Sequence, residues 1–204
     1  LSIIMVTCAC IFTLVKLLNL SVVKIFIISI IAFLFISNVP INNRLTSETY
    51  VPDNNFEQVL IDLGYDNILD NYVTTSSINT IVSLNLESKG IQDLSGIENF
   101  TALTVLNCFD NQLTSIDLSK NTSLKQLTLW KNQITSLDIS KNLALEYLDV
   151  EDNQLSNLDV SNNSNLEALY CGVNLLTSLD VSKNQSLIEL DAFNNQITTI
   201  DVSK

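Results

Sequence analysis

The sequence predicts a solenoid, a stack of near-identical coils with a parallel strand ladder along one side. Two observations predict it. The chain restarts the same pattern at Leu103, Leu124, Leu145, Leu166 and Leu187, a fixed period of 21 residues. A period of this length marks repeated supersecondary units, each too small to bury its apolar face without its neighbours. Within each copy the apolar residues alternate, as in Leu127-Thr128-Leu129 and Leu137-Asp138-Ile139. Such alternation belongs to strands with one buried face.

One copy reads Leu124-x-x-Leu127-x-Leu129-x-x-Asn132, then Ile134-x-x-Leu137-x-Ile139-x-x-Asn142. This is the LxxLxLxxN pattern of leucine-rich repeats, carried twice in half-units of 10 and 11 residues. The expected architecture is therefore a leucine-rich-repeat solenoid. It has a parallel β ladder on the concave face, a shorter extended ladder on the convex face and a small helical N-terminal cap. Cys108, Cys171 and Ala192 replace Leu129 in its inward column. Asn111, Asn132, Asn153, Asn174 and Asn195 form one polar column, and Asn121, Asn142, Asn163 and Asn184 a second. A stacked Asn can bond the turn backbone of its own coil and the next, so both columns are expected to be structural.

Taken in chain order, residues 1–44 are nearly all apolar, with Lys16, Lys24 and Arg44 as their only charges. The 12 residues from Ile25 to Ile36 match the apolar core of a signal peptide and are short for a membrane span. An uncleaved anchor or two short hydrophobic segments are the alternatives. Residues 45–80 read as a cap. Pro52 to Leu63 has helical spacing, with Asn54 and Glu57 as a capping box, Phe56, Val59, Leu60 and Leu63 on one face, and Gly64 at the end. Residues 81–204 hold the repeats. The first unit, from Ile81, has 22 residues, Lys89 in place of the column Asn, and Gly90 and Gly96 as positive-φ positions. The fifth 21-residue copy stops three residues short at Lys204, so the reading expects a fragment of a longer chain.

All 22 carboxylates follow residue 44, against seven lysines there, for a net charge of −15 on that part. An acidic surface repels phosphate backbones and anionic headgroups. Nucleic acid is therefore excluded as a partner, and a membrane enters only through the N-terminal segment. The chain has no histidine, which removes the commonest general base and zinc ligand. Cys108 and Cys171 stand three repeats apart, about 14 Å at ~4.8 Å per coil, beyond disulfide reach. They are expected to be reduced and buried. No catalytic residue, cofactor or metal site is assigned. Asp117, Asp138, Asp159, Asp180 and Asp201 stack in a convex column. Acceptance from the amides of the next turn is preferred there over a row of Ca²⁺ ions.

The concave face carries the binding candidates. Its outward slots in successive copies hold Val105, Gln126, Tyr147, Ala168 and Glu189; then Asn107, Thr128, Asp149, Tyr170 and Asp191; then Phe109, Trp130, Glu151, Gly172 and Phe193. Phe109, Trp130, Tyr147, Tyr170 and Phe193 are five of the chain's 14 aromatics. Exposed aromatics beside acids resemble binding hot spots, although aromatics also stabilise a ladder by cross-strand pairing. Phe109, Thr128, Trp130, Tyr147, Asp149, Tyr170, Glu189, Asp191 and Phe193 are the candidate ligand contacts.

The runs YVPDNNFEQVLIDLGYD and SKGIQDLSGIENFTALTVLNC, then repeats of the form NQLTSLDVSKN, resemble secreted leucine-rich-repeat proteins of Bacteroidetes-type bacteria. The resemblance covers about residues 49–204. More distantly, Lys89–Phe100 resembles internalin repeats of bacterial adhesins. The resemblance implies export, surface display and binding of a protein or a surface polysaccharide, without catalytic residues. The expected function is an exported, cell-surface or secreted binding protein. The alternative is a repeat stalk that presents another domain and has no ligand of its own.

Overall fold

Strands β3 (Ser83–Asn85), β4 (Val105–Asn107), β5 (Gln126–Thr128), β6 (Tyr147–Asp149), β7 (Ala168–Tyr170) and β9 (Glu189–Asp191) form one six-stranded parallel sheet in chain order. The computed structural model describes residues 47–201. The expected signal peptide or anchor lies outside the described residues. Register follows the repeat: Leu84, Leu106, Leu127, Leu148, Leu169 and Leu190 lie side by side. Ladder bonds continue past the strand ends, for example from Leu129 N to Asp149 O at 2.7 Å and from Lys131 N to Glu151 O at 2.9 Å.

The core is a column of aliphatic layers. In the first regular copy Leu103, Leu106, Cys108, Leu113 and Leu118 are all at most 1% exposed. Each such side chain contributes roughly 1.5–3 kcal/mol. The convex side carries the shorter second ladder, formed among the described residues by β8 (Leu179–Asp180) and β10 (Ile200–Asp201), which pair in parallel. In every complete copy the Asp-x-Ser-Lys/Asn-Asn segment that follows closes on itself. Asn121 N, for instance, returns to Leu118 O at 3.0 Å.

Both asparagine columns are structural, and they differ. Asn132 Nδ2 donates to Cys108 O and Leu129 O, both at 2.9 Å, while its Oδ1 accepts from Leu113 N at 3.1 Å. It ties its own coil to the preceding one. In the second column Asn142 Nδ2 donates to Leu118 O and Asn121 O, but the buried Oδ1 atoms of Asn121, Asn142, Asn163 and Asn184 accept no hydrogen bond.

A third column was not foreseen. Ser88, Asp110, Lys131, Asp152, Val173 and Asn194, each one residue before the turn asparagine or its equivalent, have φ of 51–58°. The chain must leave each ladder strand through the left-handed region. Val173, β-branched, is the costliest occupant.

The cap pairs β1 (Glu48–Tyr50) with β2 (Tyr72–Thr74) in antiparallel register, and sets helix α1 (Asn54–Asp62) and the short α2 (Thr75–Ile78) over the first coil. The helix cap is Asp53, not the expected Asn54–Glu57 box. Asp53 Oδ1 accepts from Asn55 N and Phe56 N, and its Oδ2 accepts from Gln92 N at 2.7 Å and Asp93 N at 3.1 Å. One carboxylate thus caps the helix and clamps it to the first repeat. Glu57 is buried, and its Oε1 accepts from Asp70 N and Tyr72 N. Phe56, Val59 and Leu60 face the core, whereas Leu63, the C-cap of the helix, is 52% exposed. Tyr65, beyond the Gly64 turn, packs on the core. Gly96 has φ 102°, and a Cβ there would stand 2.7 Å from Tyr50 O, so this position joining cap and repeats excludes any side chain.

Candidate functional site: the concave face

The sheet register brings outward residues from five successive copies into three rows. In the first, Gln126, Tyr147, Ala168 and Glu189 follow one another across the strands. In the second, Thr128, Asp149, Tyr170 and Asp191 do so, which places Tyr170 between two carboxylates. The third row, just past the strands, holds Phe109, Trp130, Glu151, Gly172 and Phe193. Its spacing is fixed by the bonds Asp110 N to Trp130 O, Lys131 N to Glu151 O, Asp152 N to Gly172 O and Val173 N to Phe193 O.

A local device steers the chain between the second and third rows. Asn107 Oδ1 accepts from Phe109 N at 3.0 Å, Asp149 Oδ1 from Glu151 N at 3.1 Å and Asp191 Oδ1 from Phe193 N at 3.1 Å. An Asx side chain that accepts two residues ahead favours the turn that follows. The acids of this row therefore have a structural role beside any recognition role.

The five expected aromatics are brought together as two pairs and a single ring. Phe109 and Trp130 pack with centroids 4.6 Å apart and planes tilted by 31°, and Tyr147 and Tyr170 at 5.6 Å and 44°. Phe193 lies against Gly172, where a Cβ would meet its ring at 2.5 Å. Gly172 is therefore buried under the ring. The cross-strand pairing considered as the plain alternative is real. It leaves Trp130 39% and Phe193 52% exposed, with Phe109, Tyr147 and Tyr170 half-buried.

The acids between the rings are electrostatically tense. Burial raises the Asp149 carboxyl above the usual range, although the Glu151 amide and the Tyr147 hydroxyl hold it back. Glu151 is raised by desolvation and then by the charges of Asp149, Asp191 and Asp152. The Tyr170 hydroxyl bonds Glu189, which carries its pKa up to about 12. Thr128 is half-buried beside Asp149. Sequence reasoning missed the ion pairs Lys125–Glu146 and Lys131–Asp110, both at 2.7 Å, because they join positions a repeat apart.

On the convex side Asp117, Asp138, Asp159 and Asp180 each accept from the amide of Ser119, Ser140, Ser161 and Ser182 at 2.9 Å. The local bond is the observed one. Bonds from Ser119, Ser140 and Ser161 lower the carboxyls of Asp117, Asp138 and Asp159. Among the described residues no three His, Cys, Asp or Glu side chains converge as a metal site. Cys108 and Cys171 are free and buried, and burial pushes the Cys171 thiol up to about 12 and that of Cys108 still further. Neither can form thiolate at neutral pH.

No family model matches the chain. A 73-residue stretch is 37% identical to Internalin J of Listeria monocytogenes serotype 4b. That stretch is 36% of this chain and 8% of the relative. Among solved structures, the functional domain of InlJ from Listeria monocytogenes, described as including a cysteine ladder, superposes with TM-score 0.71 at 36% identity. The match covers 77% of this chain and 36% of that one. The internalin InlF of Listeria monocytogenes gives TM-score 0.55 at 23% identity over 62% of this chain and 39% of its own, a likeness of fold. The LRIM1/APL1C complex gives 0.57 at 25% identity, over 62% of this chain and 25% of the matched chain. The chain spans about a third of the InlJ domain and a small part of whole Internalin J. It is a leucine-rich-repeat solenoid similar to the internalins.

Proposed function

We propose that this chain is the recognition part of an exported binding protein, displayed at the cell surface or secreted, whose concave face engages another protein. The single observation that carries the reading is the set of rings on that face. Burial of the core does not require Trp130 or Phe193 to stand on an outward slot, and both remain well exposed. Partly exposed aromatics on a rigid ladder supply contact area at little entropic cost, as interface anchors do. The likeness to internalins and to a chain of the LRIM1/APL1C complex supports a protein partner. The contact set is Phe109, Thr128, Trp130, Tyr147, Asp149, Tyr170, Glu189, Asp191 and Phe193. An enzymatic role is not proposed.

The test is capture of surface proteins by the wild-type chain and by Trp130→Ala combined with Tyr170→Ala. The variant is expected to lose the partner by a few kcal/mol while keeping the native melting transition. Equal capture by both would remove the concave face and favour the stalk reading. Surface polysaccharide is the second arm. A polysaccharide retained by the wild type and lost by the variant would replace the protein partner with a glycan.

A further inference from the structure

We propose that the partner presents a basic segment whose arginine side chains lie over the aromatic rings between β5 and β9. The inference rests on reading the concave face as the recognition surface, and three observations carry it.

The rings come first. The Phe109–Trp130 pair, the Tyr147–Tyr170 pair and Phe193 line an unpartnered sheet face, with Trp130 and Phe193 open to solvent. The face of an aromatic ring is electron-rich and attracts a guanidinium stacked over it.

The second observation is how acids and rings alternate. Tyr170 stands in register between Asp149 and Asp191, and Glu151 stands between Trp130 and Gly172 in the next row. A guanidinium over Tyr170 would find the partly exposed carboxylate of Asp191 at its edge, with the buried charge of Asp149 on the other strand. Its planar fork can bond a carboxylate at the edge while its face rests on the ring.

The third is that the described residues supply these acids with no counter-charge. Between Lys141 and Lys183 there is neither lysine nor arginine. The two lysines paired near this face, Lys125 and Lys131, are engaged with Glu146 and Asp110. No ion pair reaches Asp149, Glu151, Glu189 or Asp191 among the described residues. Burial already holds Asp149 above its ordinary carboxylate value, and burial followed by the charges of Asp149, Asp191 and Asp152 does the same for Glu151. A neutral partner covering them would deepen that desolvation, and an anionic one would be repelled. A cationic segment relieves both.

The probe is a peptide of about ten residues that alternates arginine and glycine, with a citrulline counterpart of the same shape and no charge. Affinity for the full 204-residue chain is measured at roughly 150 mM salt, where diffuse attraction is screened. Glu151→Gln with Asp191→Asn is compared with Asp117→Asn and Asp138→Asn, an equal charge change on the convex side. The wild type is expected to prefer arginine over citrulline. The concave pair should weaken binding about tenfold and the convex pair by no more than about twofold. Equal effects of the two pairs, or equal binding of citrulline, would overturn the inference. The natural partner separates this inference from the reading beneath it. A partner lost on Trp130→Ala with Tyr170→Ala but held by Glu151→Gln with Asp191→Asn would overturn the basic segment alone. One held by both variants would overturn the recognition face itself.

Discussion

The Phe193 ring occupies the space that a side chain at position 172 would need. A Cβ on Gly172 would fall 2.5 Å from both Phe193 Cδ1 and Cε1, which no real pair of carbons tolerates. Gly172 is a concave slot emptied so that the ring of the next coil can lie across it. Gly172→Ala is expected to turn the Phe193 ring outward and cost about 1 kcal/mol. In the Phe193→Ala background the same change should cost nothing. A double-mutant cycle on thermal unfolding checks this, and additive effects would show that ring and glycine are independent.

Val173 is a β-branched residue held at φ 52°, in a column whose other members include Ser, Asp, Lys and Asn. A left-handed conformation costs an L-residue roughly 1–2 kcal/mol, least for Asn and Gly. Val173→Asn is therefore expected to raise the melting temperature, by about 1 kcal/mol of stability. The reverse change, Asn194→Val, should lower it. Unchanged melting in both would mean that the column imposes no strain.

The two asparagine columns should respond unequally. Asn132→Ala removes an acceptor for Leu113 N and a donor to Cys108 O and Leu129 O, all within buried turns. Asn142→Ala removes two donated bonds, and with them an oxygen that accepts none. With each orphaned buried group costing about 1–3 kcal/mol, Asn132→Ala is expected to be the more damaging by one such group. Chemical denaturation of the two variants measures the difference.

The acids set a pH dependence with opposing signs. Asp149 and Glu151 titrate above the usual value in the folded chain, so the stability they give is present in acid and lost as pH rises through their raised values. Asp117, Asp138 and Asp159 titrate below it, so theirs is present above the usual value and lost as pH falls through the lowered ones. Stability is expected to peak near the ordinary carboxylate value, falling above it as the concave pair ionises and below it as the convex acids take up protons. Asp149→Asn keeps an acceptor for Glu151 N and should raise the melting temperature at neutral pH, with the gain vanishing near pH ~4. A gain that persists there would assign the effect to something other than charge.

Much of this architecture was legible because the chain writes it five times. The alternation Leu127-Thr128-Leu129 states which side chains face inward, and repetition at 21 residues states which strands are neighbours, so the three outward rows follow by counting. The nine candidate contacts fall in those rows as read. Where a feature occurs once, counting fails. The helix cap at Asp53 rather than Asn54 depends on Gln92 and Asp93 arriving from about 40 residues away. Leu63 kept the helical period yet stands exposed at the C-cap of the helix.

The sequence by itself determined the fold, the order and register of the strands, the polar columns and the identity of the outward side chains. Periodic burial of leucine leaves one way to stack such coils. Only the tertiary structure decided how the outward groups meet. Contact of Phe109 with Trp130, the ring of Phe193 over Gly172, and the uncompensated charge around Asp149 depend on side-chain packing and desolvation between coils. The left-handed column at Val173 and the extent of the convex ladder depend on backbone closure. None of these is a property of one residue or of its period, since each arises from the distance at which neighbouring coils come to rest.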